Sequence, residues 1–164
     1  MKTSGDHRAS RIDNLESLRT HPENRKQEID ALNELAWEFR ISQVERAYEY
    51  SQKAGELSQQ GEFTGDPYVQ GLADSFTNQA FLETYSGRLD SAVSKCLRAL
   101  ELVQEVHPPS VVKIWFVLGW NSYFLGDYPA ALENGMKALK LAREFGDDLH
   151  EAWALDALIG RAHV

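Results

Sequence analysis

The sequence holds a single cysteine, Cys96, so no disulfide can close within the chain. Its neighbours Val93, Leu97 and Leu100 mark it as a small buried hydrophobe. Basic side chains are scarce: 17 Lys and Arg stand against 25 Asp and Glu, for a net charge of −8. That balance argues against nucleic acid as a partner, because phosphate binding relies on clustered cations. No stretch approaches the roughly eighteen apolar residues of a membrane span, and the opening MKTSGDHRASR lacks the apolar segment of a secretory signal. A cytoplasmic protein that does not contact membrane is the expectation. The five histidines, His7, His21, His107, His150 and His163, have no ligand spacing. Glycine-rich phosphate loops and nucleophile elbows are absent too. The reading therefore expects no metal, no cofactor and no enzyme.

Strand patterns are also missing. Apolar residues recur at three and four positions rather than two, and the turns lack hairpin dipeptides between alternating runs, so the fold class is all-α. At 164 residues the chain has the length of one domain, and 43% hydrophobic with 26% charged residues is an ordinary globular composition. A flexible tail over 1–10 precedes a domain over 11–164. Ile12, Leu15 and Leu18 give a short helix over 11–20. His21-Pro22-Glu23 opens a helix through Ile29, Leu32, Leu35, Ala36 and Phe39, and Ser42-Gln43-Val44-Glu45 reads as a capping box opening the next. Asp66-Pro67 starts a third helix, and Gly87 separates it from a fourth that reaches about Val106. A fifth runs to Leu125, and a sixth from Pro129 to Phe145.

The turns Gly87-Arg88-Leu89 and Gly126-Asp127-Tyr128 lie 39 residues apart, and their surroundings superimpose. Ala80 falls on Gly119, Ala92 on Ala131, Ala99 on Ala138 and Leu100 on Leu139. Ala47 and Ala54 repeat the same seven-residue step. Helical hairpins in tandem account for this: repeat 1 over 22–60, repeat 2 over 67–106, repeat 3 over 110–146 and a partial fourth over 149–164.

The set Trp115, Leu118, Gly119, Gly126, Asp127, Tyr128, Ala131, Ala138 and Leu139 resembles the signature of the tetratricopeptide-repeat family. Departures are Ser122 at the usual tyrosine position, Gly135 where a bulky aromatic stands, and a missing closing proline. A period longer than the usual 34 is similar to the extended variety found in bacterial signalling proteins. The resemblance implies a right-handed superhelical stack of about 3.5 antiparallel hairpins, serving as a non-catalytic protein–protein interaction scaffold. It further suggests the sensor or docking module of a larger regulatory protein.

On that template Trp115, Leu118, Gly119 and Tyr128 take packing positions, whereas Phe116, Trp120, Tyr123 and Phe124 fall at first-helix positions facing the concave groove. Trp37, Phe81 and Leu158 occupy places equivalent to Trp120. Asn33, Arg40, Thr77, Asn78 and Lys113 would be polar companions on that side. Two arrangements satisfy the pattern: an exposed aromatic stripe that binds a protein or peptide segment, or the same rings covered by cross-packing helices. Asn78 and Lys113 are compatible with two positions of the family's clamp for chaperone tails, but Asn33, Trp37 and Val117 do not complete it. The last helix begins a repeat without a partner, and Trp153, Leu155, Leu158 and Ile159 are not the polar cap that ends a repeat array. These four could form a homodimer edge. The reading expects the natural protein to continue beyond Val164.

Overall fold

In the computed structural model, the described residues are 4–60, 68–103, 108–148, 151–152 and 154–155. They form seven helices: α1 (Ser4–Thr20), α2 (Arg25–Phe39), α3 (Val44–Gln59), α4 (Val69–Tyr85), α5 (Leu89–Leu102), α6 (Pro108–Phe124) and α7 (Tyr128–Phe145). No strand occurs among them. The expected start at Asp66-Pro67 lies outside the described residues, as do Trp153 and most of the expected partial repeat over 149–164.

Helix ends follow local chemistry. Helix α2 starts at Asn24, whose side-chain oxygen accepts from the Gln27 N–H at 2.9 Å, while Gln27 Oε1 accepts from the Glu23 N–H at 2.8 Å. The start expected at His21-Pro22-Glu23 thus moves to the first residue able to cap. The box expected at Ser42 and Glu45 does not form. Gln43 is the cap residue, it makes no side-chain cap bond, and its Oε1 accepts from Arg46 at 2.6 Å. At α7, Asp127 accepts from the Ala130 N–H at 3.1 Å, with Pro129 in the first turn where a missing N–H costs nothing.

Three turns share one geometry. Gly87, Gly126 and Gly146 have φ of 78°, 78° and 65°. In each, the N–H of the following residue returns five positions back: Arg88 to Glu83 O, Asp127 to Ser122 O and Asp147 to Ala142 O, at 2.9–3.0 Å. This left-handed cap needs glycine because a Cβ crowds the following carbonyl. The turn between α2 and α3 uses Arg40 to Gln43 instead, with the Gln43 N–H bonded to Phe39 O.

Contacts group the chain into two compact units, Met1–Asn78 and Gln79–Val164, with the boundary inside α4. The sequence alone suggested one domain. Contacts confined to neighbouring hairpins divide this way in repeat architectures.

In the first unit α2 packs on α3, and α1 lies against α2. Ile29, Leu32 and Ala54 are buried at the α2–α3 contact, flanked by Tyr50, Leu57 and Tyr68. A Cβ on Gly71 would come within 2.6 Å of Ile29, so α4 approaches α2 at a distance only glycine allows. Helix α1 begins at Ser4, seven residues before the expected start, although 4–11 offers no apolar period. Ion pairs hold that segment: Arg8 to Glu38 at 3.1 Å, and Arg11 to Glu34 and Glu38 at 3.0 and 3.1 Å.

In the second unit α6 packs on α7 and α5 on α6. Val112, Ala138, Leu139, Ala142 and Ala154 form the α6–α7 core, with Trp115, Phe116, Leu141 and Leu155 against it. Ala80, Ala92, Ala99, Gly119, Ala131 and Ala138 are all buried, as are Ala47 and Ala54 in the first unit. The small residues that recur every 39 positions are interior. Helix α5 ends at Leu102, four residues short of Val106.

Candidate functional site

The residues expected to share a groove meet different fates. Trp37 and Phe81 are only 5% and 3% exposed. Asn33 and Asn78 are buried in the first unit and bonded together: Asn78 Nδ2 donates to Asn33 O at 3.0 Å and to Asn33 Oδ1 at 3.2 Å, while Asn33 Nδ2 donates to Gly71 O at 2.9 Å. They join α2 to α4 where Gly71 brings the helices close, so neither amide faces a ligand. Thr77 is buried with its hydroxyl on Ala73 O. Arg40 is half-buried, stacked at 4.1 Å over the Trp37 ring and hydrogen-bonded to Trp37 O. Lys113 is half-buried on α6. Of the two arrangements the spacing allows, Trp37 and Phe81 follow the covered one, and Asn33, Thr77 and Asn78 are buried with them. Repeat spacing identifies equivalent positions, but whether a neighbouring helix covers them is decided by packing.

What remains is a cluster within the second unit. Phe81 meets Tyr85 at 4.8 Å between ring centroids. Tyr85 in turn contacts Trp120 at 6.2 Å and Phe124 at 5.4 Å. Trp120 touches Phe116, Tyr123 and Phe124 at 6.0–6.3 Å. Tyr123 lies against Phe124 at 5.9 Å and Tyr128 at 5.8 Å. Seven rings from α4, α6 and the first turn of α7 are thus contiguous, in tilted or edge-to-face pairs that favour aromatic contact.

Their exposure is graded. Phe81 is the buried base; Phe116, Trp120 and Tyr123 are half-buried. Tyr85, Phe124 and Tyr128 are 52%, 45% and 58% exposed, and Leu125 and Leu132 are exposed as well. Tyr128 was expected in the core. As the first residue of α7 it leans on Tyr123 instead of entering the hairpin, while Leu118 and Gly119 are buried and Trp115 lies under Lys137 at 4.5 Å. Tyr85 was missed, yet it stands 39 residues before Phe124, the same step that relates Phe81 to Trp120.

Polar pairs also join the helices of each hairpin. The Glu83 carboxylate, almost fully buried, accepts from Lys95 Nζ at 2.8 Å, with Arg88 Nε 3.9 Å away. Thirty-nine residues on, the matching pair is neutral: Asn134 Nδ2 donates to Ser122 Oγ at 3.3 Å. Each pair ties the first helix of a hairpin to the second. Cys96 is buried, and burial together with the nearby Glu83 charge pushes its thiol well above the ordinary range, so it is no nucleophile at neutral pH.

No group of three or more His, Cys, Asp or Glu side chains able to hold a metal occurs among the described residues. A depression along α5, lined by Ser94, Leu97, Arg98, Glu101 and Leu102, is open to solvent. No described helix is long and apolar enough to cross a membrane. Of the expected dimer edge, Leu155 is half-buried against the α6–α7 core. Trp153, Leu158 and Ile159 lie outside the described residues.

Residues 71–144 match a family model described as tetratricopeptide repeat. Comparison with curated proteins finds no match.

Proposed function

We propose that this chain is a non-catalytic scaffold whose docking face is the aromatic cluster of its second unit; residues 71–144 match the tetratricopeptide repeat, and such helical repeats generally mediate protein–protein interaction. Tyr85, Trp120, Tyr123, Phe124 and Tyr128 form the contact surface, and Phe81 and Phe116 support it from below. The observation that carries the reading is the exposure of three rings, Tyr85, Phe124 and Tyr128, in the contiguous seven-ring cluster around Trp120. Aromatic side chains of limited flexibility lose little entropy on binding and supply most interface energy when a partner covers them. The occupant is a peptide or protein segment, and in its natural setting the module reports that occupancy to an output domain of a bacterial regulatory protein.

Selection of displayed peptides against the intact chain provides a probe, and titration of the selected peptide should shift the Trp120 indole resonance. Tyr85→Ala and Trp120→Ala should each weaken binding by at least about tenfold, as expected for central aromatic anchors. Phe145→Ala, an exposed ring outside the cluster, should leave it unchanged. Binding that survives both cluster substitutions would refute the site. Sedimentation over a range of concentrations separates the other use of an apolar surface: self-association abolished by Leu155→Asp would favour a homodimerisation module.

A further inference from the structure

Helix α1 is unlike the other six in how it is held. Its buried apolar contribution is Leu15, with Ile12 and Leu18 half-covered. The described polar contacts that join it to α2 and α3 centre on charged groups. Arg8 reaches Glu38 twice, through Nε to the carboxylate and through Nη2 to the backbone carbonyl at 2.7 Å, where it also complements the negative end of α2. Arg11 bridges Glu34 and Glu38, one turn apart on α2. Glu16 accepts from Arg46 at 2.8 Å and Tyr50 at 3.0 Å, both on α3. Arg8, Arg11 and Arg46 are about half exposed.

We infer that α1 is a charge-held strap that detaches from α2 and α3 as a unit when its ion pairs are screened, uncovering the α2 face that Glu34 and Glu38 edge and that includes Ala31 and Leu35. The arginine ends of these pairs stand in solvent, although Glu38 and Glu16 are only 14% and 25% exposed, so each pair weakens as salt screens its arginine, whereas the apolar contacts of Ile29, Leu32 and Ala54 do not. The strap therefore opens well before the α2–α3 hairpin does. Its departure exchanges a surface closed by arginines for an apolar strip between two carboxylates, so ionic strength, or any group competing for Arg8 and Arg11, controls access to that strip. This inference stands apart from the aromatic face, because every residue in it belongs to the first unit.

Hydrogen exchange on the intact chain tests it. Raising NaCl from about 0.1 to about 1 M shortens the Debye length from about 10 to about 3 Å. Amides of α1 should then lose about tenfold in protection while those of α2 and α3 hold. Arg11→Glu should produce the same loss at low salt, and adding Glu34→Arg should restore protection. If α1 and α2 lose protection together, or if α1 responds to Leu15→Ala but to neither salt nor Arg11→Glu, the strap does not exist.

Discussion

At Gly126 the backbone sits at φ 78°, yet nothing lies within 4 Å of where a Cβ would project. Any penalty for a side chain there comes from the local left-handed backbone, not from a clash with another part of the chain. Gly126→Ala should cost about 1–2 kcal/mol, the price of a left-handed L-residue, and Gly126→Asn distinctly less. Urea denaturation at fixed pH measures both. Glu16 makes a second prediction. Burial alone would raise its pKa, but hydrogen bonds from Arg19 and Tyr50 and the charges of Arg19 and Arg46 outweigh burial and hold the carboxyl below its ordinary value of 4.5. The folded form thus binds its proton less readily than the unfolded chain. Its stabilisation is present in full above 4.5 and fades as pH falls through the lowered value. Glu16→Gln should therefore flatten the acid limb of the stability–pH curve without adding a new transition near neutrality. The glycine turns were legible in the sequence because few residues tolerate that φ. The Ser42 box was not, because Gln43 also fits the turn and Arg46 takes its side chain.

Between helices, the contrast between Glu83–Lys95 and Ser122–Asn134 sets the energetics. Lys95→Met leaves a buried carboxylate with Arg88 as its remaining cation, 3.9 Å off, and should destabilise by about 3–5 kcal/mol. Asn134→Ala removes one long neutral bond and should cost about 1 kcal/mol or less. Replacing Glu83 by Ser together with Lys95 by Asn should recover most of the Lys95→Met loss; thermal unfolding of all three variants decides. Helix existence and pairing could be read from the sequence, since Ala80, Ala92, Ala99 and their partners 39 residues on are small for one reason, close approach, and all are buried. The first helix was cut short in that reading because its N-terminal half is bound by charge, and ion pairs across helices leave no periodic trace.

Among the described residues, contacts fall into two units, Met1–Asn78 and Gln79–Val164. Ile29→Ala should cost about 2–5 kcal/mol, and native-state hydrogen exchange should place the lost protection within Met1–Asn78 while α6 and α7 keep theirs. Uniform loss across α2 and α6 would show one cooperative body instead. The candidate site was half legible for a related reason. Phe116, Trp120, Tyr123 and Phe124 were found because they share a helix face, and Tyr85 was within reach of the same 39-residue step. The burial of Trp37 and Phe81 was not, because it depends on which helices lie above them. The unequal polar pairs also bear on how such a chain can change over generations. A crossover that gave α4 the second helix of the following hairpin would set Glu83 opposite an amide in place of Lys95, with at most the more distant Arg88 for countercharge, so the hairpins are not interchangeable cassettes, and lineages that duplicate or shuffle them must alter both members of a pair at once.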